Sequence, residues 1–530
     1  MDTLEPNRTS PGQWGARLGT TITLLLILLL GSRSGMARRY GSGIAQALQH
    51  RPRTILRVWD WWAPSTNEKY ARYFEAVERE YEATHPDVDL QLQFVPFVQY
   101  EQKMATALVG ASPPDVFQSS VYWAEGFYDR GMLLPLNGFL DRDRVERSRL
   151  EESGRPVPSE AVVDRDAFLE SAWRHNSKPD GAVFGIPQIL DSNALTWNLD
   201  ILERAAATDE EVRAMFLSKS DGTPDYGRLR WNAVRDWAQF RRIVRRLSKF
   251  DQSGRLETDA SGQEVQAGFA VHAHGSGAAP FLPWLAANGT NFEDDEGTRA
   301  LFDSDAGEET TRFILDLYWK DRVSPAFRRQ MSDEEGFNTG RVACVSAGTW
   351  SGKYIKQNTE GRVRFDQTAY PPGPRGRETT TLSWGNVLVI PRSTRKAELA
   401  WDYVKFITSL PGALRLLKHV DQNSPRKDFY ETPAWDSVCR ENPHLWNIPA
   451  ICASGKKLRC TQINAIDHAV QPVFESLLLR APEITAGTGP YPSIRAGLQA
   501  AAASANRVYD RYNHQAETWS AAWKSAQVTP

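Results

Sequence analysis

From Thr54 onward the chain alternates strand-like and helix-like patterns with little linker between them. The segment TILRVWDWW is an aliphatic and aromatic run of strand length. PSTNEKYARYFEAVEREYEATHPD follows, with Ser65 and Glu68 spaced as a capping box and Tyr70, Phe74, Val77 and Tyr81 on one helical stripe. The helix closes at Pro86, VDLQLQFVPF alternates as a second strand, YEQKMATALVG reads as a second helix, and PPDVFQSS is a third short strand. A β-α-β-α-β order implies a mostly parallel sheet covered on both faces, an α/β fold.

In open α/β sheets ligands bind beyond the carboxyl ends of the strands. Trp61, Trp62 and the stretch Gln118, Ser119, Ser120 sit at those ends, so they are candidates for a ligand surface. Adjacent residues of an extended chain point to opposite faces. The expectation is that Trp59 serves the core and Trp62 faces solvent or a ligand.

With 530 residues the chain exceeds one ordinary core, and two or more domains are expected. Its 63 basic and 65 acidic residues nearly cancel, which excludes the electrostatic footprint of a nucleic-acid or anionic-membrane partner. Near the N-terminus, Arg8 and Arg17 precede LGTTITLLLILLL, which ends at Leu30 and has the length of a secretory apolar region; a membrane span needs ~20 residues. The following GSRSGMARRY holds neither a clear small-residue cleavage site nor a lipoprotein cysteine, so an uncleaved anchor is the alternative to an exported, cleaved chain. Cys344 in RVACVSAG reads as a buried small hydrophobe. A disulfide between Cys439 and either Cys452 or Cys460 is expected, with all of them free as the equal alternative.

Further along, GAVFGIPQILDSNALTWNLDIL is extended, with Asp191, Ser192 and Asn193 between apolar ends. RWNAVRDWAQFRRIVRRLSKF is an amphipathic helix whose arginines form a solvated face, and EETTRFILDLYWKDRV is another helix. GFNTGRVACVSAGTWSG reads as a helix end, a strand and a glycine-bounded loop carrying Trp350, and TTTLSWGNVLVIP is a strand with Trp384 near its start.

Five stretches in this order resemble the family 1 extracellular solute-binding proteins, the maltose-binding-protein-like receptors of ATP-binding-cassette importers. They are ILRVWDWW, PPDVFQSSVYWAEGFYDRGMLLPLNGFL, GAVFGIPQILDSNALTWNLDIL, FNTGRVACVSAGTWSG and WGNVLVIPRSTRKAELAWDYVKFITS. The resemblance implies a two-lobe periplasmic-binding-protein type II fold with three inter-lobe crossings and a ligand cleft closed by hinge motion. The implied boundaries are 1–52 for a signal peptide or anchor with linker, 53–190 and 370–415 for lobe 1, and 191–369 and 416–530 for lobe 2, the last part helical. It also implies the solute contacts: Trp62 at the first strand end, Gln118, Ser119, Ser120 and Tyr122 after PDVF, Asp191 before TWN, Trp350 after a G-x-W turn, and Trp384 with Gly385 on the returning strand. Insertions at 141–165 and 251–266 and an enlarged C-terminal region depart from the family pattern.

Residue chemistry favours a carbohydrate. An indole stacks on the apolar face of a pyranose, and the ring hydroxyls need fixed partners such as Asp60, Asp191, Gln118 and Asn193. The implied partners are a carbohydrate and the membrane permease subunits of an importer, with the chain a periplasmic or extracytoplasmic monomer, no cofactor and no metal. A glycoside hydrolase would need a carboxylate pair at ~5–9.5 Å, and no motif supplies one. The two histidines of VHAHGSG, His272 and His274, are an incomplete zinc set. A scaffold that keeps the lobes and binds no solute is a further alternative. Glycerol phosphate would call for cations at a helix N-terminus, which the cleft motifs lack.

Overall fold

The computed structural model describes residues 53–110, 113–271, 281–325, 333–420, 422–457 and 463–526. The apolar segment ending at Leu30, the His272/His274 pair and Cys460 lie outside the described residues. Among the described residues no helix is long and apolar enough to cross a membrane.

The expected alternation is present as β1 (Thr54–Asp60), α1 (Glu68–Thr84), β2 (Val88–Phe94), α2 (Phe97–Val109) and β3 (Val116–Ser120), followed at once by α3 (Val121–Asp129). The apolar stripe of α1 buries Tyr73, Phe74, Val77 and Tyr81. Its start differs from the expected capping box: Ser65 stands in the preceding turn, and Asn67 Oδ1 accepts the Lys69 N–H at 2.9 Å. Asn67→Ala is therefore expected to cost about 1 kcal/mol, read as a lower urea midpoint, whereas Ser65→Ala should leave the midpoint unchanged.

Two long strands organise the rest. β4 (Ile186–Asn198) and a later strand, Thr381–Val389, pair antiparallel from Ile186↔Leu388 to Ser192↔Ser383. At Asn193 β4 changes partners and continues against β5 (Cys344–Gly348), with Asn193 opposite Gly348, and against β6 (Phe365–Thr368). The later strand, β7 (Thr381–Val389), also lies antiparallel to β3, and the short β8 (Gly455–Lys457) runs parallel to it at Thr381–Ser383. The order is β2-β1-β3-β7-β4-β5, with β6 beside β4 and β8 beside β7. The expectation of a mostly parallel sheet is corrected here: β1 and β3 are parallel, but β7 enters between β3 and β4 in the opposite sense, giving a mixed sheet.

Two hydrophobic cores flank the partner change. One gathers Tyr100, Phe117, Phe127, Val387 and Val389 around β3 and β7. The larger is built on the amphipathic helix Trp237–Arg246, where Trp237, Phe240, Trp284 and Phe313 meet Phe474 and Leu498 of the C-terminal helices. That helix's arginines are ion-paired on its outer face, Arg241 with Asp321 at 2.7 Å and Arg242 with Glu211 at 2.7 Å. The first half of the insertion at 141–165 is helical, within Asn137–Glu152, and the rest is turns and irregular chain. The chain divides into a large unit, Leu56–Tyr81 with Leu90–Pro530, and a small one whose described residues are 53–55 and 82–89. The small unit holds itself with an Arg53–Glu82 ion pair at 2.7 Å.

The expected disulfide between Cys439 and Cys452 is not formed. Cys344, Cys439 and Cys452 are all free and buried, and Ser192 Oγ donates to Cys452 Sγ at 3.5 Å. Cys344 takes the role of a core hydrophobe.

Candidate functional site

The end of β1 is organised by Asp60. Its buried carboxylate accepts the Trp62 N–H at 2.7 Å, and burial pushes its pKa up to about 7 against the pull of the Trp62 and Trp61 backbone donors. This turn sends the two following indoles in different directions. Trp62 lies flat on Tyr70, with ring centroids 5.3 Å apart and planes 2° from parallel, and is only 7% exposed. Trp61 stays half-buried and meets Phe97, Tyr100 and Trp123 edge-on at 5.6, 5.0 and 5.9 Å. Trp59, expected in the core, packs against the core around β3 and β7, and Trp61 does the same; both are half-buried, whereas Trp62 is buried.

At the end of β3, Gln118 is fully buried and its Nε2 donates to Gln188 Oε1 at 2.9 Å. Ser119 is also buried and donates to the Ser120 carbonyl; Ser120 is partly exposed opposite Asn386, and Tyr122 is buried in the first turn of α3. The Gln118 and Ser119 side chains are thus both hydrogen-bonded within the fold, Gln118 to a side chain and Ser119 to backbone.

The partner change in β4 carries the next group. Asp191 pairs in register with Trp384, and its Oδ1 accepts from Thr349 Oγ1 at 3.1 Å. Burial pushes the Asp191 carboxyl above its ordinary range, opposed by the nearby Lys353 charge and the Thr349 bond. Thr349 is itself tied to β4, donating its N–H to the Ser192 carbonyl at 2.9 Å. Asn193 is half-buried, and its carbonyl accepts from Thr381 Oγ1 at 2.5 Å. Gly385 has a steric role, since a Cβ there would lie 2.1 Å from the Ile189 carbonyl oxygen of the neighbouring strand.

Trp350 ends the turn after β5 and precedes α4 in the site, the helix Ser351–Asn358. Its ring sits over Gly348, where a Cβ would come within 1.7 Å of the indole, and meets Trp384 at 4.9 Å with planes inclined by 57°. Trp350, Thr349, Lys353 and Tyr354 form one wall of a cavity of about 530 Å³. Asn67, Lys69 and Tyr70 at the start of α1 form a second wall. Gln422, Asn423, Trp435 and His444 close it from the C-terminal side, with His444 held neutral because burial drives its pKa down to about 3. Of the residues expected from sequence, Trp350 lines this cavity directly. Trp384 backs Trp350 and Asp191 backs Thr349, while Trp62 supports the lining residue Tyr70. Asp60, Gln118, Ser119, Ser120, Tyr122, Asn193 and Gly385 are not among the lining residues.

Residues 63–413 match the family described as bacterial extracellular solute-binding proteins. The chain belongs to that family. This solute-binding protein is 19% identical over 417 residues to the maltotriose-binding protein of Pyrococcus abyssi, an overlap of 76% of this chain and 74% of the relative. Among solved structures it is similar to the GacH receptor of Streptomyces glaucescens, determined unliganded and with acarbose, at a TM-score of 0.59 and 17% identity, covering 88% of this chain and 99% of the receptor. It is also similar to the cyclic alpha-maltosyl-1,6-maltose binding protein of Arthrobacter globiformis, at a TM-score of 0.62 and 15% identity, covering 87% and 100%. These likenesses give the solute-binding protein the two-lobe α/β fold of the periplasmic-binding-protein type II class. β4 pairs with β7 over its first half and with β5 and β6 over its second, and β7 also pairs with β3.

The residues that sequence reasoning missed are Lys69, Tyr70, Lys353, Tyr354, Asn423 and Trp435. Tyr70 was accounted for as part of a helical stripe, and Lys353 and Tyr354 stand in the helix that follows Trp350, where the motif WSGKY was the available signal.

Proposed function

We propose that this chain is the extracytoplasmic receptor of an ATP-binding-cassette importer and binds a saccharide in the cavity beside Trp350, without catalysing its conversion. The observation that carries this reading is the Trp350–Trp384 pair, in which Trp384 lies opposite Asp191 on the strand beside β4 and Trp350 lines a cavity of ligand size. A half-buried indole offers a flat apolar face for a pyranose, and Asn67, Gln422 and Asn423 supply amides for its hydroxyls. The names of the relatives, which record maltotriose, acarbose and a cyclic maltosyl-maltose, support the same class of ligand.

The lobe boundaries follow the partner change: residues 53–190 and 370–415 belong to one lobe, and 191–369 and 416–530 to the other. Closure is a population shift driven by contacts that both lobes make to the solute, and the permease reads the closed form. The apolar N-terminal segment ending at Leu30 supports export. Asp60, Trp62 and Asp191 act by holding Trp61, Tyr70 and Thr349 in place, and Ser120 and Asn193 lie at strand positions beside the partner change.

The test is calorimetric titration of the full chain with a panel of mono-, di- and oligosaccharides. Trp350→Ala is expected to weaken the best ligand at least tenfold, about 1.4 kcal/mol, while Trp319→Ala, remote from the cavity, leaves affinity unchanged. Equal affinity in both variants would remove Trp350 from the binding surface.

A further inference from the structure

Thr349 lines the cavity with the buried Asp191 carboxylate behind it, and its hydroxyl is already engaged twice within the fold. Oγ1 accepts the Ser192 N–H at 3.1 Å and donates to Asp191 Oδ1 at 3.1 Å. A hydroxyl has one proton and two lone pairs, so what Thr349 keeps for the cavity is a single lone pair. The direction of its proton is set by Asp191. A carboxylate accepts and does not donate, and a hydrogen bond to it is roughly twice as strong as one to a neutral oxygen. Against burial, the Lys353 charge and then the Thr349 bond hold Asp191 toward its ionised form. Asn423 Nδ2 lies 3.5 Å from the same Oδ1, so donors from two distant stretches of chain converge on one carboxylate oxygen of β4. Asn423 also lines the cavity, and an amide that turns its nitrogen to Asp191 turns its oxygen away from it.

We infer that Asp191 is a positioning residue: by holding the Thr349 proton it makes this wall of the cavity a hydrogen-bond acceptor, which selects a hydroxyl that donates. Trp350 is the next residue along the chain, so an apolar face and a lone pair are presented side by side. A pyranose meets both, its C–H face on the indole and a rim hydroxyl giving its proton to Thr349 Oγ1. An ether, a fluorine or a carboxylate oxygen at the same place sets acceptor against acceptor and leaves both unmet. This deepens the saccharide-receptor reading and rests on it.

The experiment is calorimetric titration of the full chain with glucose, maltose, maltotriose, cellobiose and mannobiose, and with the monodeoxy and monodeoxyfluoro analogues of whichever bind. A C–F group accepts weakly and cannot donate. At one hydroxyl position wild type is expected to reject the fluoro and the deoxy analogue alike, by about tenfold against the parent sugar, as for a buried hydrogen bond left unmade. Asp191→Asn should keep that ratio, because the two donors that converge on Oδ1 fix the amide oxygen there, and Thr349→Ser should keep it because the hydroxyl remains. Asp191→Leu and Thr349→Val are expected to weaken the parent sugar and to bring the parent-to-fluoro ratio at that position down to about threefold or less. Thr349→Val gives this reading should Asp191→Leu fail to fold. An Asp191 that serves stability alone would lower parent and analogue affinities together; an unchanged ratio in Asp191→Leu and Thr349→Val, or a wild type that tolerates fluorine at every position, would overturn the inference and leave the saccharide reading standing. Absence of binding by all five parent sugars would overturn both.

Discussion

Replacing Lys457 by methionine is expected to lower stability by about 3 kcal/mol, the low end of the cost of breaking a buried ion pair, because a second ammonium remains beside the carboxylate. Lys457 Nζ lies 2.8 Å from Glu125 Oε2, and both side chains are 6% exposed. The other carboxylate oxygen of Glu125 meets Lys178 at 3.1 Å, and Lys178 also meets Asp129 at 3.0 Å. Burial alone would push the Glu125 carboxyl up; the Lys457 charge, then that of Lys178, more than offset this and bring it below its ordinary range. Removing the Lys457 ammonium takes away the stronger of the two charges and leaves Lys178 alone to oppose burial at Glu125. The position matters because Lys457 ends β8, which extends the sheet beside β7 and lies beyond residues 63–413 that match the family. The measurement is urea unfolding of wild type, Lys457→Met, Glu125→Gln and the double variant. The double variant should recover most of the loss, since it removes both charges together. Single-variant losses below 1 kcal/mol would mean that strand pairing and packing, not the ion pair, fasten β8 to the sheet.

The order β1 to β3 was legible because periodicity reports local structure directly, and the buried stripe of α1 follows the apolar residues read from it. The place of β7 was not legible. A strand's composition does not state its direction or its neighbours, and β7 joins β3 and β4 across a long stretch of intervening chain. At the site, the alternation rule correctly separated Trp61 from Trp62, but it could not say which indole turns inward. That choice belongs to the Asp60 carboxylate, whose bond to the Trp62 N–H turns the chain so that Trp62 lands on Tyr70. Asp191 was read as a solute partner from its polarity, yet in the fold its nearest donor is the Thr349 hydroxyl. The lysines of the cavity escaped notice because Lys69 and Lys353 are far apart in sequence and unremarkable in each local motif; only the fold brings them to one cavity.

Stability is expected to fall as pH rises from about 4 to about 8, and Asp60→Asn should remove part of that slope. Burial raises the pKa of Asp60 to about 7, that of Asp366 to about 8 and that of Glu293 to about 8. In the unfolded chain these carboxyls release their protons near pH 4. Between pH 4 and 7–8 the folded state therefore holds protons that the unfolded state has lost, so raising the pH favours unfolding. Below pH 4 both states are protonated at these groups, and above pH 8 both are ionised, so their contribution is level outside the window. For Asp60 alone, a displacement of about three pH units corresponds to a penalty on the order of 4 kcal/mol, complete above pH 7. Ion-paired groups work in the other direction at lower pH: the hydrogen bond from Arg242, with Arg246 beside it, holds Glu211 down at about 2, and its contribution is lost as pH falls through that value. Glu211 is half-buried but its arginine partners are exposed, so as a surface ion pair its share is small. The balance places maximum stability on the acid side of neutrality. In Asp60→Asn the amide oxygen still accepts the Trp62 N–H, and no proton is released on raising the pH. Urea midpoints of wild type and Asp60→Asn at pH 5 and pH 8 test this: the wild-type midpoint should drop clearly, and the variant's should drop less. A variant that tracks wild type across both pH values would show that the Asp60 carboxyl is already ionised at pH 5.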